Sequence, residues 1–332
     1  MLKTSLMNTL YPMKFNPLFL DKIWGGQKIR TVLKQPTGDL PNCGEAWVLS
    51  GVDGNQTLVK EGFLEGNELN ELIEIYMGDL VGDQVFEKYG TEFPILVKIL
   101  DTNDYLSIQV HPDDDLAQKR HACNGKTEMW YVIQADEGAE LITGFKEPVD
   151  KEGYLRHLEN KSLKSVLNVE KVKSGQVFFT PAGRVHALGP GLLIAEIQQT
   201  SDVTYRIYDW DRIDHRGFAR ELHNDLALDA IDFTVHDDYQ THYSPKENGT
   251  VQLVKSPFFC TGLITINKSI RKDYSELDSF VIHMCTNGAY DLGYELGSIH
   301  VQAGDCVLIP NELNTILLTP KPMAQILEVY IA

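Results

Sequence analysis

Three side chains in the run Leu106-Ser107-Ile108-Gln109-Val110-His111-Pro112 could do chemistry. Strict alternation predicts a β-strand with Leu106, Ile108 and Val110 on one face and Ser107, Gln109 and His111 on the other. A hydroxyl, a carboxamide and an imidazole in a row suit binding. Pro112 closes the strand, because it has no N–H for a ladder. A second strand over 126–133 puts Lys126 and Glu128 on one face, and Pro181-Ala182-Gly183-Arg184-Val185-His186 brings another imidazole. Two histidines, a glutamate and a glutamine on neighbouring strands of a barrel could surround a borderline ion such as zinc. The same residues could also stand apart as surface groups.

The elements that must position them follow from periodicity. Residues 93–100 (FPILVKIL) read as a buried strand with Lys98 inside an apolar run. A lysine is seldom buried unpaired, so it either snorkels or faces a cavity, and the adjacent candidate ligands favour the cavity. Residues 45–50, 176–179 and 191–197 read as further strands. Residues 67–77 have helical spacing behind a possible Asn67 cap, and 153–169 read as one or two amphipathic helices. The Asp113-Asp114-Asp115 run looks like a capped helix start. Residues 229–245 lack a period and read as a linker, and 251–332 read as short strands between turns.

An internal repeat is present. Val172-Lys173-Ser174-Gly175 before Pro181 recurs as Val301-Gln302-Ala303-Gly304 before Pro310, and 130–139 resembles 280–289. Short strands, a glycine turn and a proline stop, used twice, predict two related β-barrels or jelly rolls. The copies differ in chemistry. Five residues after Pro181 stands His186, but five after Pro310 stands Thr315. Asp278 falls near the place of Glu128, and nothing in the second copy matches Gln109-Val110-His111. The first barrel, with residues 1–240, is therefore the candidate catalytic unit, and 241–332 the metal-free structural one.

Composition sets outer limits. A chain of 332 residues carrying a net charge of −17 suits neither nucleic acid nor an anionic membrane as partner. An anionic small substrate requires a locally basic pocket. No stretch reaches the roughly 18 apolar residues of a membrane-spanning helix, and residues 1–12 lack the apolar core of a signal peptide. Five scattered cysteines without a CxxC fit reduced thiols in the cytoplasm. A monomer or a small homo-oligomer is compatible with all of this.

Four motifs in order, 93–100, 107–114 (SIQVHPDD), 125–131 (GKTEMWY) and 198–212 (QQTSDVTYRIYDWDR), resemble the type I phosphomannose isomerase family, short bacterial branch. The resemblance runs from Trp24-Gly25-Gly26 into the second barrel. It implies a mainly β fold of two cupin-type jelly-roll barrels with a few inserted helices. It also implies a zinc enzyme, with one ion per chain, that interconverts mannose 6-phosphate and fructose 6-phosphate. Carried over by position, the ligands are His111, Glu128 and His186, with Gln109 as a fourth. Arg206 is the active-site arginine, and Lys98, Ser107, Lys126 and Asp202 fall on pocket positions. Longer members carry a large helical insertion between the glutamate and the second histidine that this chain lacks, so lid residues do not transfer.

Aldose–ketose isomerisation moves one proton between C2 and C1 and another between the two oxygens, through a cis-enediol(ate). Arg206 reads as a clamp on the enediolate or the phosphate. Asp202, four residues earlier, would share its face in a strand, where a plain surface ion pair is the competing reading. Lys98 and Lys126 would neutralise phosphate or shuttle protons. A lysine beside zinc and a second cation has its pKa lowered, which makes Lys126 an acid/base candidate. Asp202 and a zinc-bound water compete for that role. A sugar-phosphate-binding or regulatory cupin without catalysis, and an iron-dependent oxygenase, are the alternatives. Histidines 121, 157, 215, 223, 236, 242, 283 and 300 share no spacing and read as structural or surface groups.

Overall fold

The computed structural model describes residues 9–213 and 217–332, so His215 and most of the 1–12 segment lie outside the described residues. The protein is mainly β, with six α-helices among the described residues. One barrel is made of two sheets. A seven-stranded sheet runs in the order Gln240–Thr241, Val177–Thr180, Glu128–Ala135, Leu192–Gln199, Ile95–Thr102, Leu18–Gly26, Cys43–Leu49. A five-stranded sheet runs Leu167–Lys171, Glu140–Phe145, His186–Leu188, Ile108–Val110, Tyr205–Tyr208. The second barrel is a nine-stranded sheet built around the long strands Val281–Tyr294 and Thr315–Tyr330.

Side-chain parity explains how the layers stack. In Leu192–Gln199, Leu193, Ala195 and Ile197 join the apolar cluster that also holds Leu308, Leu327 and Val329 of the second barrel. Leu192 and Ile194 point the other way, onto the floor of the first barrel with Leu100, Trp130 and Phe178. The strand is therefore buried on both faces, which is why it reads as an unbroken apolar run. A fully buried leucine or isoleucine contributes about 2 kcal/mol by transfer alone. This shared layer is thus a large part of what holds the barrels together. The five-stranded sheet turns Ile108, Val110, Val185, Ala187, Tyr205 and Ile207 outward, under Tyr154, Leu163 and Ala227 of the helical excursions. Its other parity, Gln109, His111, His186 and Arg206, is left to face the barrel interior.

Element ends follow side-chain chemistry. Asp113 caps Asp114–His121, accepting from Leu116 N at 2.9 Å. The cap of the helix Leu69–Val81 is Glu68, paired with Glu71 in a capping box, not Asn67. Asn67 instead donates its amide to Leu64 O. Lys151–Glu159 and a 3₁₀ turn at Leu163–Ser165 form the excursion expected over 153–169. Within the linker region, Gln240–Thr241 pairs with Val177 and Phe178. The repeated glycines Gly175 and Gly304 hold φ of +85° and +91°, conformations that a side chain would strain. Two strands from the N-terminal quarter, Met13–Asn16 and Leu58–Val59, pair into the second barrel's sheet.

Candidate functional site

His111, Glu128 and His186 meet in the first barrel, each 1% exposed or less. One potential ligand atom from each lies within 4.8 Å of the others. The two imidazoles come from neighbouring strands, with His186 registered against Gln109. Glu128 reaches across from the opposite sheet. His111 Nδ1 lies 3.0 Å from Val203 O and His186 Nδ1 lies 2.8 Å from Arg184 O. A carbonyl only accepts, so each Nδ1 carries the proton and each Nε2 turns a lone pair inward. Those Nε2 atoms stand 3.5 Å and 3.4 Å from Glu128 Oε2 and Oε1.

The electrostatics suit a cation. Burial pushes the His111 imidazole well below its usual range, with Lys126 adding to the effect, and burial pushes His186 down to about 3. Both are neutral donors. Burial raises Glu128 to about 7 against the pull of Lys126. Neither Glu128 oxygen has a hydrogen-bond partner. Lys126 Nζ stands 3.3 Å from Oε2, an ion-pair distance without hydrogen-bond alignment. A buried carboxylate with two unpartnered oxygens between two inward lone pairs is the donor set of a divalent metal. Gln109 Nε2 lies 3.2 Å from His186 Nε2, and its Oε1 accepts from Ser107 Oγ at 3.4 Å.

Beside this centre is a cavity of about 310 Å³. Lys98, Ser107, Gln109, Lys126, Asp202, Thr204 and Arg206 all line it, so every pocket position named from the sequence opens on one space. Its lysines and arginines, five in all, outnumber its three carboxylates, which makes the pocket locally basic on an acidic protein. Lys98 is buried, 3.5 Å from Glu196 and stacked 4.8 Å over the Trp47 ring. Asp202 and Arg206 share the cavity face without an ion pair, and Asp202 is exposed. Lys126 faces two carboxylates in the absence of an ion. Burial works to lower its pKa, but Glu128 and then Glu196 hold the ammonium and raise it.

Glu196 was not anticipated, although a charge inside the run 191–197 is the signal that singled out Lys98. It is buried and accepts from Trp130 Nε1 at 3.0 Å. Lys22, Glu45 and Arg220 also line the cavity. His223 is more than a surface group, for its Nδ1 accepts from Arg206 N at 3.1 Å. Asp278 does not take the place of Glu128, because it caps the helix Asp83–Tyr89 by accepting from the backbone of Asp83 and Gln84.

Comparison with known proteins covers nearly all of the chain. Residues 13–146 match the family model described as phosphomannose isomerase type I, catalytic domain. A protein of Streptococcus mutans named mannose-6-phosphate isomerase is 36% identical over 307 residues, 90% of this chain and 94% of that protein. The crystal structure of the mannose 6-phosphate isomerase from Bacillus subtilis superposes with a TM-score of 0.86 at 31% identity, over 97% of this chain and all of that one. A putative mannosephosphate isomerase from Archaeoglobus fulgidus shares the fold, with a TM-score of 0.79 at 20% identity over 98% of this chain and all of that one.

Proposed function

This chain belongs to the type I phosphomannose isomerase family, and from that premise we propose that it interconverts mannose 6-phosphate and fructose 6-phosphate with one zinc ion per chain. The observation that carries the metal is the buried Glu128 carboxylate, unpartnered between two inward-facing imidazole lone pairs. His111, Glu128 and His186 would hold the ion. A half-turn of the Gln109 carboxamide would offer Oε1 as a fourth donor. Bound there, zinc supplies Lewis-acid positive charge to the substrate's oxygens.

The chain's own residues do the rest. The reaction passes through a cis-enediol(ate). Arg206 keeps its proton and offers a fixed positive charge to the forming oxyanion. Its orientation is supported by Nη1 donating to Glu221 O at 2.8 Å and by the His223 contact at its backbone. Lys126, an ammonium on the cavity wall, is cast as the donor to a sugar oxygen. Asp202, exposed on the same cavity, is then the carboxylate that takes the carbon-bound proton. Ser107 and Lys98 contact the sugar phosphate. Residues 1–240 carry the chemistry and 241–332 support it. With all five cysteines unpaired, the cytoplasm is the compartment that fits, and a monomer or small homo-oligomer the assembly.

The test joins metal analysis to a coupled assay of mannose 6-phosphate conversion, before and after chelation. The expected result is close to one zinc per chain, with activity lost on chelation and restored by zinc. Bound zinc without conversion would replace the isomerase by a sugar-phosphate-binding protein. Arg206→Ala should keep its metal and lose about 10²–10³ in kcat, the scale for losing one oxyanion-stabilising group. Unchanged turnover would remove the clamp.

A further inference from the structure

Away from the metal centre, the internal repeat leaves a second mark. Each barrel carries a β-bulge at the same rung of its ladder. In the first, Val132 is registered against Ile194 and Gln134 against Leu193, so Ile133 is the extra residue. In the second, Cys285 is registered against Ile326 and Asn287 against Gln325, so Thr286 is the extra one. The repeated glycine turn fastens both bulges. Gly175 N donates to Val132 O and Gly304 N to Cys285 O, each at 2.8 Å. A bulge re-aims the side chains around it.

Here the two bulges open on one space. A cavity of about 360 Å³ is lined by Ile133 and Gln134 from one copy and by Thr286 and Asn287 from the other. Ser174 and Ala303, which hold equivalent places in the two repeats, line it as well. Gln325 reaches it from the second barrel, whereas its ladder equivalent Leu193 is buried in the shared apolar layer. Tyr131 gives a buried wall, on the strand whose other face carries Glu128.

The lining is the opposite of that of the basic cavity. Among the described residues, no charged side chain lines it. The carboxamides of Gln134, Asn287 and Gln325 reach it without a hydrogen bond inside the protein. Each offers both donors and an acceptor, as a hydroxyl does, so amides and hydroxyls are matched partners. Val32, Leu33 and Ile133 supply an aliphatic side for a C–H face. A phosphate or an ammonium would be desolvated there without a counter-charge. The volume falls in the range of small-molecule sites, about 300–1,000 Å³.

We propose that this groove, where the two copies of the repeat meet, binds a neutral polyhydroxylated molecule of hexose size. The occupant bridges the two barrels and is separate from the metal centre. The site stands or falls independently of the isomerase reading.

The test is calorimetric titration of the full-length protein with mannitol, a six-carbon polyol without the carbonyl that isomerisation needs. Wild type should bind one molecule per chain with a millimolar dissociation constant. The double variant Gln134→Leu/Asn287→Leu should weaken binding about 10- to 30-fold, through the loss of two hydrogen-bonding amides. Gln325→Leu, which installs the residue of the first barrel, should weaken it about fivefold. Turnover of mannose 6-phosphate without mannitol should stay within about twofold in every variant, since none of these residues lines the catalytic cavity. Wild type without saturable binding up to about 100 mM mannitol would overturn the proposal, as would equal affinity in the double variant. Displacement of mannitol by inorganic phosphate would also overturn it, by placing the polyol in the basic cavity. If the double variant loses its cooperative thermal transition, Gln325→Leu decides by the same constant.

Discussion

The two barrels use the same rung of their ladders for opposite ends. In the first, Trp130 is registered against Phe178 and Glu196. In the second, His283 is registered against Val307 and Glu328. Each rung buries a glutamate facing a ring N–H or nitrogen from the next strand. In the second barrel the polar set closes on itself. Tyr274 OH donates to Glu328 Oε1 at 2.6 Å, Lys272 Nζ lies 2.7 Å from the same oxygen, and Tyr274 and Tyr290 reach the two nitrogens of His283. In the first barrel, two residues along the strand, Glu128 is left without a hydrogen-bond partner, and Val281 holds the matching ladder position in the second. A satisfied buried network rigidifies, whereas an unsatisfied one is open to a ligand. The proposed division between support and chemistry rests on which carboxylate is left without a hydrogen bond.

Substitution can break this contrast, and the largest effect belongs to Glu128→Ala. Metal content should fall to near zero and isomerase activity to background, because at most two imidazoles and one carboxamide remain as donors. Full zinc in the purified variant would mean that the ligand set is wrong. Glu328→Gln should do the reverse, keeping zinc and turnover while losing about 1–3 kcal/mol of stability, since the half-buried Lys272 is left against a neutral amide. A calorimetric melt checks it.

The acid limb sharpens the same point. Burial alone would raise the Glu328 carboxyl, but the His283 contact and Lys272 outweigh it and bring it to about 2. A carboxylate with a depressed folded pKa contributes stability that is fully present above its unfolded value, near 4.5, and lost as pH falls through about 2. Wild type should therefore lose roughly 3 kcal/mol more than Glu328→Gln between pH 5 and pH 2. Parallel acid melts would leave the network without its assigned weight. The smallest effect is expected for Thr315→Ala, half-buried where the strand Thr315–Tyr330 begins: within about 0.5 kcal/mol and with normal turnover. A lost metal or a lost rate there would show that the second barrel does more than support.

What the chain revealed in advance follows the physics of each signal. The inward face of Ser107, Gln109 and His111 was legible because a period of two is local and Pro112 marks its end. Lys98 was legible as a charge in an apolar run, and Glu196 carried the same signal on the strand registered against it. Asp278 was misplaced because matching the repeats by residue type slides the second strand by three. The ladder aligns Trp130 with His283, and bulges between Cys285 and Asn287 and between Gly288 and Tyr290 absorb extra residues that no local pattern announces. Arg220 lies where the chain has no period, and only tertiary contact, including its bond to Asp209, brings it to the cavity.

The strand Met13–Asn16 carries a consequence in time. Its partner is Cys306–Ile309, with Met13 opposite Leu308, so this strand must wait for one that the ribosome makes much later. Until then Met13, buried in the finished molecule, lacks that partner, although Phe15 can already pair with Val59. Contacts of such long sequence separation form late and slowly. A translation product stopped short of Cys306 would therefore expose one edge of an apolar strand to whatever pairs with it first.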